Sequence, residues 1–100
     1  MMTFKIPTQR KYPKYIYYGT ERYRLIFKKN LDCYGVTDAN ARTITIKDGL
    51  SPRALLATFI HEVIHLMEFE TPLKIKHKSV YKLEKALVEL LIDNFLIVGK

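Results

Sequence analysis

From Ser51 to Glu70 the chain reads "SPRALLATFIHEVIHLMEFE", and no other stretch restricts the fold as strongly. Ser51 can cap a helix and Pro52 suits its first position. A helix is therefore expected over about 52–69, ended by "ETP" at 70–72. Ile60, Val63, Ile64 and Met67 make its middle apolar. His61, Glu62 and His65 interrupt that surface. Polar groups placed there raise the free energy of folding unless each finds a partner.

"HEVIH" at 61–65 fits the pattern H-E-x-x-H. One helical turn brings His61 and His65 to the same face, about 6 Å apart along the axis. That spacing lets two imidazoles hold one tetrahedral Zn²⁺. Glu62, angled to the side, is then placed to take a proton from a metal-bound water. The bland alternative is two core histidines bonded to backbone, with Glu62 solvated.

A catalytic zinc site of this kind needs a third protein ligand. The continuation H-E-x-x-H-x-x-G-x-x-H is absent, because Glu68 and Thr71 stand at its last two fixed positions. The candidates are Glu68, Glu70, His77, Glu84 and Glu89. Glu68 and Glu70 belong to the end of the same helix and close a tetrahedron poorly. A second helix is expected over roughly 78–97, with Gly99 as its stop. On it, Glu84 has Val80, Tyr81, Leu87 and Val88 as its neighbours one turn away. Glu89 has Lys85, Ala86, Ile92 and Asp93, a more solvated surrounding. Glu84 is thus the favoured third ligand, and Glu89 reads as a surface charge. His77 is its rival, as a ligand or as a donor to the reaction's oxyanion, although "KIKHK" also reads as a solvated connection.

The first half of the chain is built for strands. "YIYY" and "YRLIFKK" are rich in aromatic and branched residues and flank Gly19, although a helix at 20–28 is an alternative. "VTDANARTITIKDG" reads as a hairpin turning at "TDAN". In "RTITIKD", Ile44 and Ile46 point one way and Thr43, Thr45 and Lys47 the other. Strands followed by two helices define an α+β fold in one domain, residues 1–100, with a small antiparallel sheet preceding two packed helices.

The net charge of +7 permits contact with nucleic acid or an acidic partner, and much of it lies in "KYPKYIYYGTERYRLIFKK". Interleaved tyrosines could make that segment a nucleic-acid surface, or it is the basic outer side of strands whose other side is core. Cys33 is the one cysteine, which fits a reducing compartment, and it reads as a small buried residue. "MMTFKIPTQRKYPK" lacks the apolar core of a signal peptide. Glu89 and Asp93 interrupt the apolar tail, so no membrane span is expected. A cytoplasmic location follows as an expectation.

"CYGVTDANARTITIKDGLSPRALLATFIHEVIHLMEFE", followed by "LEKALVELLIDNF", resembles the small phage-type members of the ImmA/IrrE-like metallopeptidases. The resemblance spans about residues 30–95. It implies a minimal zincin-like, gluzincin-type core with His61, Glu62 and His65 in the motif and Glu84 as the second-helix ligand. Two departures stand out: "LMEFE" follows the motif where small residues are usual, and no helix-turn-helix module is present. The SprT-like proteases are a weaker match, and their third histidine would favour His77. The expected activity is a zinc-dependent endopeptidase acting on a peptide or protein substrate paired along strand 43–47. The alternative is a non-enzymatic binding module, with a structural or vestigial zinc, that uses the basic aromatic surface.

Overall fold

Apolar residues fall at alternate positions of two strands, and burial follows that alternation. The computed structural model describes residues 4–71, 74–94 and 96–97. Its elements are β1 (Phe4–Lys5), a short 3₁₀ turn (Gln9–Lys11), β2 (Tyr15–Tyr18), β3 (Glu21–Lys28), β4 (Gly35–Asp38), β5 (Thr43–Lys47), α1 (Pro52–Glu70), α2 (His77–Asn94) and β6 (Leu96–Ile97). Four strands form one sheet in the order β2-β3-β5-β4, and β1 pairs with β6 in a parallel ribbon. Strands followed by two packed helices make the α+β arrangement that the sequence indicates. The expected antiparallel sheet is corrected to a mixed one: β2–β3 and β4–β5 are antiparallel, whereas β3–β5 is parallel.

Tyr23 and Leu25 of β3 and Ile44 and Ile46 of β5 point to one side and pack with Leu55 and Leu66 of α1. Full burial of an aliphatic side chain stabilises by about 1.5–3 kcal/mol. A second cluster, Ile6, Leu56 and Val88, joins the N-terminal segment to both helices. Ser51 caps α1 as expected, its hydroxyl accepting from the Ala54 N–H at 3.3 Å. At the other end of α1, Glu70 carries a negative charge where the helix dipole disfavours one. Arg42, 3.2 Å from Glu70 and 3.1 Å from Glu21, offsets that charge. The Tyr23 hydroxyl also donates to Glu70, at 2.6 Å. Burial, reinforced by that acceptor, pushes the Tyr23 phenol up to about 12. Arg42 adopts left-handed backbone, with φ of 54°, in the turn between β4 and β5.

Residues 21–28 form the expected strand, since Tyr23 and Leu25 need alternation to reach the core. Several local expectations are corrected. Strand 43–47 has no free edge, because β5 lies between β3 and β4. The open edge on this side of the sheet belongs to β4. Cys33 is exposed, in the loop before β4, its thiol 3.3 Å from the Gly35 carbonyl. α2 begins one residue earlier than expected and ends at Asn94, and Leu96–Ile97 pair with β1. Pro72 and Gly99, read as helix-ending residues, lie outside the described residues. No helix among the described residues is long and apolar enough to cross a membrane.

Candidate metal centre

The motif helix delivers its three polar side chains to the border between β4 and α2. His61 and Glu62 are buried, at 8% and 5% exposure, so each must be satisfied internally. The His61 Nδ1–H donates to Glu84 Oε1 at 2.7 Å. The His65 Nδ1–H donates to Glu68 Oε1 at 2.8 Å, one turn further along the same helix. A neutral ring that donates from Nδ1 in this way keeps its lone pair on Nε2. The two Nε2 atoms face each other at 3.1 Å. Two lone pairs aimed at one another at that distance repel unless a cation, proton or metal, lies between them.

A tetrahedral metal with nitrogen at about 2.0–2.1 Å sets its ligand atoms about 3.3 Å apart. The Nε2 separation is close to that edge. His77 supplies a third donor, and ligand atoms of His61, His65 and His77 all lie within 4.8 Å of one another. The His77 ring stacks on His65, with centroids 5.5 Å apart and 17° between planes. It is the first residue of α2 and is exposed. The donor set therefore fits a small cation with one open position.

Glu84, the third ligand expected from the sequence, comes to the same place. It reaches the back of the His61 ring and is not a member of the three-donor group. Glu89 is exposed on the outer side of α2. Glu70 is occupied by Tyr23 and Arg42 at the far end of α1. Glu68 has two tasks: its second oxygen accepts from the Ile75 N–H at 3.1 Å. One carboxylate thus orients His65 and pins the connection that carries His77 into place.

Glu62 lies beside the cluster without joining it. Thr37, on the inward side of β4, has its hydroxyl 2.8 Å from Glu62 Oε1 and 3.1 Å from the Glu62 carbonyl. Its single proton can serve one of them at a time. Gly35 makes the approach of β4 feasible. A Cβ at that position would meet Thr58 Cγ2 at 2.9 Å and Glu62 Cγ at 3.0 Å. Tyr81, one turn after His77, lays its ring against His61 and His77 with centroids 4.7 and 4.8 Å away.

Open space flanks His61 and Glu62 on both sides. One cleft of about 420 Å³ is bounded by Cys33, Tyr34, Gly35, Thr58, Tyr81 and Glu84. The other, of about 310 Å³, is bounded by Val36, Thr37, His65, Phe69 and His77. Both contain His61 and Glu62, and the β4 backbone runs beside both. Sequence reasoning missed Thr37 and Gly35. They lie 25 and 27 positions before Glu62, and no local pattern marks them. The pairing of Glu68 with His65 was readable from the i,i+3 spacing.

No protein-family model matches the chain, and no curated protein or solved structure is significantly similar to it.

Proposed function

We propose that the chain is a zinc-dependent endopeptidase in which His61, His65 and His77 hold the metal and Glu62 is the general base. The observation that carries this reading is the pair of Nε2 atoms 3.1 Å apart, each ring fixed from behind by a carboxylate. Imidazole nitrogens suit several transition metals, and zinc is favoured by the H-E-x-x-H spacing of the motif. Bound there, zinc supplies Lewis-acid polarisation of a carbonyl and a water whose pKa falls to about 7. Glu62, held against β4 by Thr37, accepts the proton of the attacking water and returns it to the leaving amine. The open edge of β4 aligns an extended peptide across the two clefts through main-chain hydrogen bonds. Glu84 and Glu68 keep the histidine rings in the binding tautomer. This assignment gives the third-ligand role to His77 and makes Glu84 a positioning residue.

Elemental analysis of protein purified without chelator tests the metal. About one zinc per chain is expected, lost in His61→Ala and His65→Ala; zinc-free wild-type protein refutes it. A peptide-library cleavage assay tests the chemistry. Removing the base in Glu62→Gln should lower the rate on the order of a hundred- to ten-thousand-fold while the metal stays bound. Chelator-sensitive cleavage undiminished in Glu62→Gln would assign the base elsewhere.

A further inference from the structure

α1 packs on one side of the four-stranded sheet and α2 packs on α1, while the opposite side of the sheet carries a pattern that the histidine cluster does not use. Register places Tyr15 opposite Arg24 and Tyr17 opposite Arg22 across β2 and β3. Alternation turns these four residues away from the buried Tyr23 and Leu25, onto one outer face. All four are exposed, Tyr17 to 69%. The Arg22 guanidinium lies over the Tyr15 ring, 4.6 Å from its centroid. Lys28 and Lys47 continue the basic charge as register partners on β3 and β5. Beside them a groove of about 550 Å³ is lined by Tyr15, Arg22, Arg24, Asn40, Arg42 and Thr43.

The charge on this face is largely uncompensated. Arg42 is engaged with Glu21 and Glu70, but Arg22 and Arg24 form no ion pair among the described residues. Asp38 on the same face has its Oδ1 occupied by the Asn40 and Ala41 N–H groups. Two neighbouring guanidiniums without counter-charge call for a polyanion. The exposed tyrosine rings between them call for planar partners. An acidic peptide would answer the first requirement only. A duplex keeps its bases stacked inside and cannot lay them on a flat sheet. An unpaired strand answers both: phosphates to arginine, bases to tyrosine.

We infer that the outer face of β2 and β3 binds a single-stranded polynucleotide, with Arg22 and Arg24 on phosphates and Tyr15 and Tyr17 as stacking platforms. The site is on the far side of the sheet from the metal cluster, so the two can be occupied together.

Fluorescence anisotropy with a labelled oligothymidine of about twelve nucleotides at low salt tests this, the length being within the footprint of one small domain. The wild-type protein should bind, with an affinity that falls as salt rises. Each phosphate contact contributes about −0.7 to the slope of log affinity against log salt. Arg22→Gln combined with Arg24→Gln should therefore weaken binding at least about tenfold and flatten that slope by about 1.4. Tyr17→Ser should weaken binding about fivefold or more and leave the slope unchanged. Arg22→Lys with Arg24→Lys, which preserves charge and fold, should retain the slope. Thermal melts of each variant identify any loss of folding. Absence of binding by the folded wild-type protein overturns the inference. So does a duplex or a polyglutamate that competes equally well with no effect of Tyr17→Ser, which marks a merely basic surface.

Discussion

Leu55 and Leu66 on one stripe of α1, and Thr58, His61 and Glu62 on the neighbouring stripe, are all withdrawn from water. The first stripe faces β3 and β5 and is satisfied by volume alone: Tyr23, Leu25, Ile44 and Ile46 fill the space. The second faces β4 and α2, and its ionisable groups, with the neighbouring His65, each have a particular partner. Glu62 has Thr37 from β4, His61 has Glu84 from α2, and His65 has Glu68 from its own helix. Equal burial thus has two different bases. The apolar stripe depends on filling, and the polar stripe on three separate elements arriving in register.

Substitutions should separate the two stripes. The largest effect belongs to the apolar one: Leu55→Ala should lower unfolding free energy by about 2–5 kcal/mol in urea titrations. The folded fraction should still bind metal at the wild-type ratio, and a lost metal would show that the stripes are coupled. On the polar stripe, Glu84→Ala should weaken metal affinity about 10- to 100-fold with little change in fold, as measured by competition with a chromophoric chelator. His77→Ala should weaken it more, and Glu89→Ala should leave it unchanged. A Glu84 effect larger than that of His77 would return Glu84 to the metal's own shell. Smaller again is Thr37→Val, which strips Glu62 of its hydroxyl partner. A stability loss of about 1–2 kcal/mol is expected, restored by Thr37→Ser.

The smallest effects compare two tyrosines beneath the apolar stripe. Tyr12 packs edge-on against Phe27 and Phe59, and its hydroxyl has no hydrogen-bond partner among the described residues. Burial pushes its phenol up to about 12. Tyr12→Phe removes an unsatisfied group and should be neutral or stabilising by up to about 1 kcal/mol. Tyr23→Phe loses the bond to Glu70 and should destabilise. Both phenols have folded values raised from 10.0 to about 12, so their contribution is intact below pH 10 and lost as pH rises from 10 to 12. Urea midpoints should fall across that interval, and less steeply in Tyr12→Phe.

What the sequence made legible was local. Ser51 and Pro52 mark the start of α1, and the histidine pair follows from one helical turn. "RTITIKD" announces a strand whose isoleucines face inward, as Ile44 and Ile46 do. The choice between His77 and Glu84 turned on where α2 begins, and "KIKHK" carries no capping signal that decides it. Alternation also says which residues face inward without saying which strand lies beside which. Strand 43–47 was therefore read as an edge, and Thr37 went unnoticed on the strand that is one. Cys33 was assigned to the interior from residue type, which does not register that it sits in a loop ahead of β4.

The parallel pairing of β3 with β5 has a consequence for the order in which the chain folds. β2–β3 and β4–β5 are each hairpins, closed by turns at Gly19–Thr20 and at 39–42. Such hairpins form in microseconds because their contacts are local. β5 reaches its place between β3 and β4 only when the second hairpin docks as a unit onto the first. That docking joins Arg24 to Thr43 and Lys28 to Lys47 and closes a loop of about twenty residues. The slow event expected for the sheet is accordingly a meeting of two preformed pieces. Substitutions within either turn, whose contacts precede the docking, should mainly slow folding, and those at the β3–β5 seam should divide their effect between folding and unfolding.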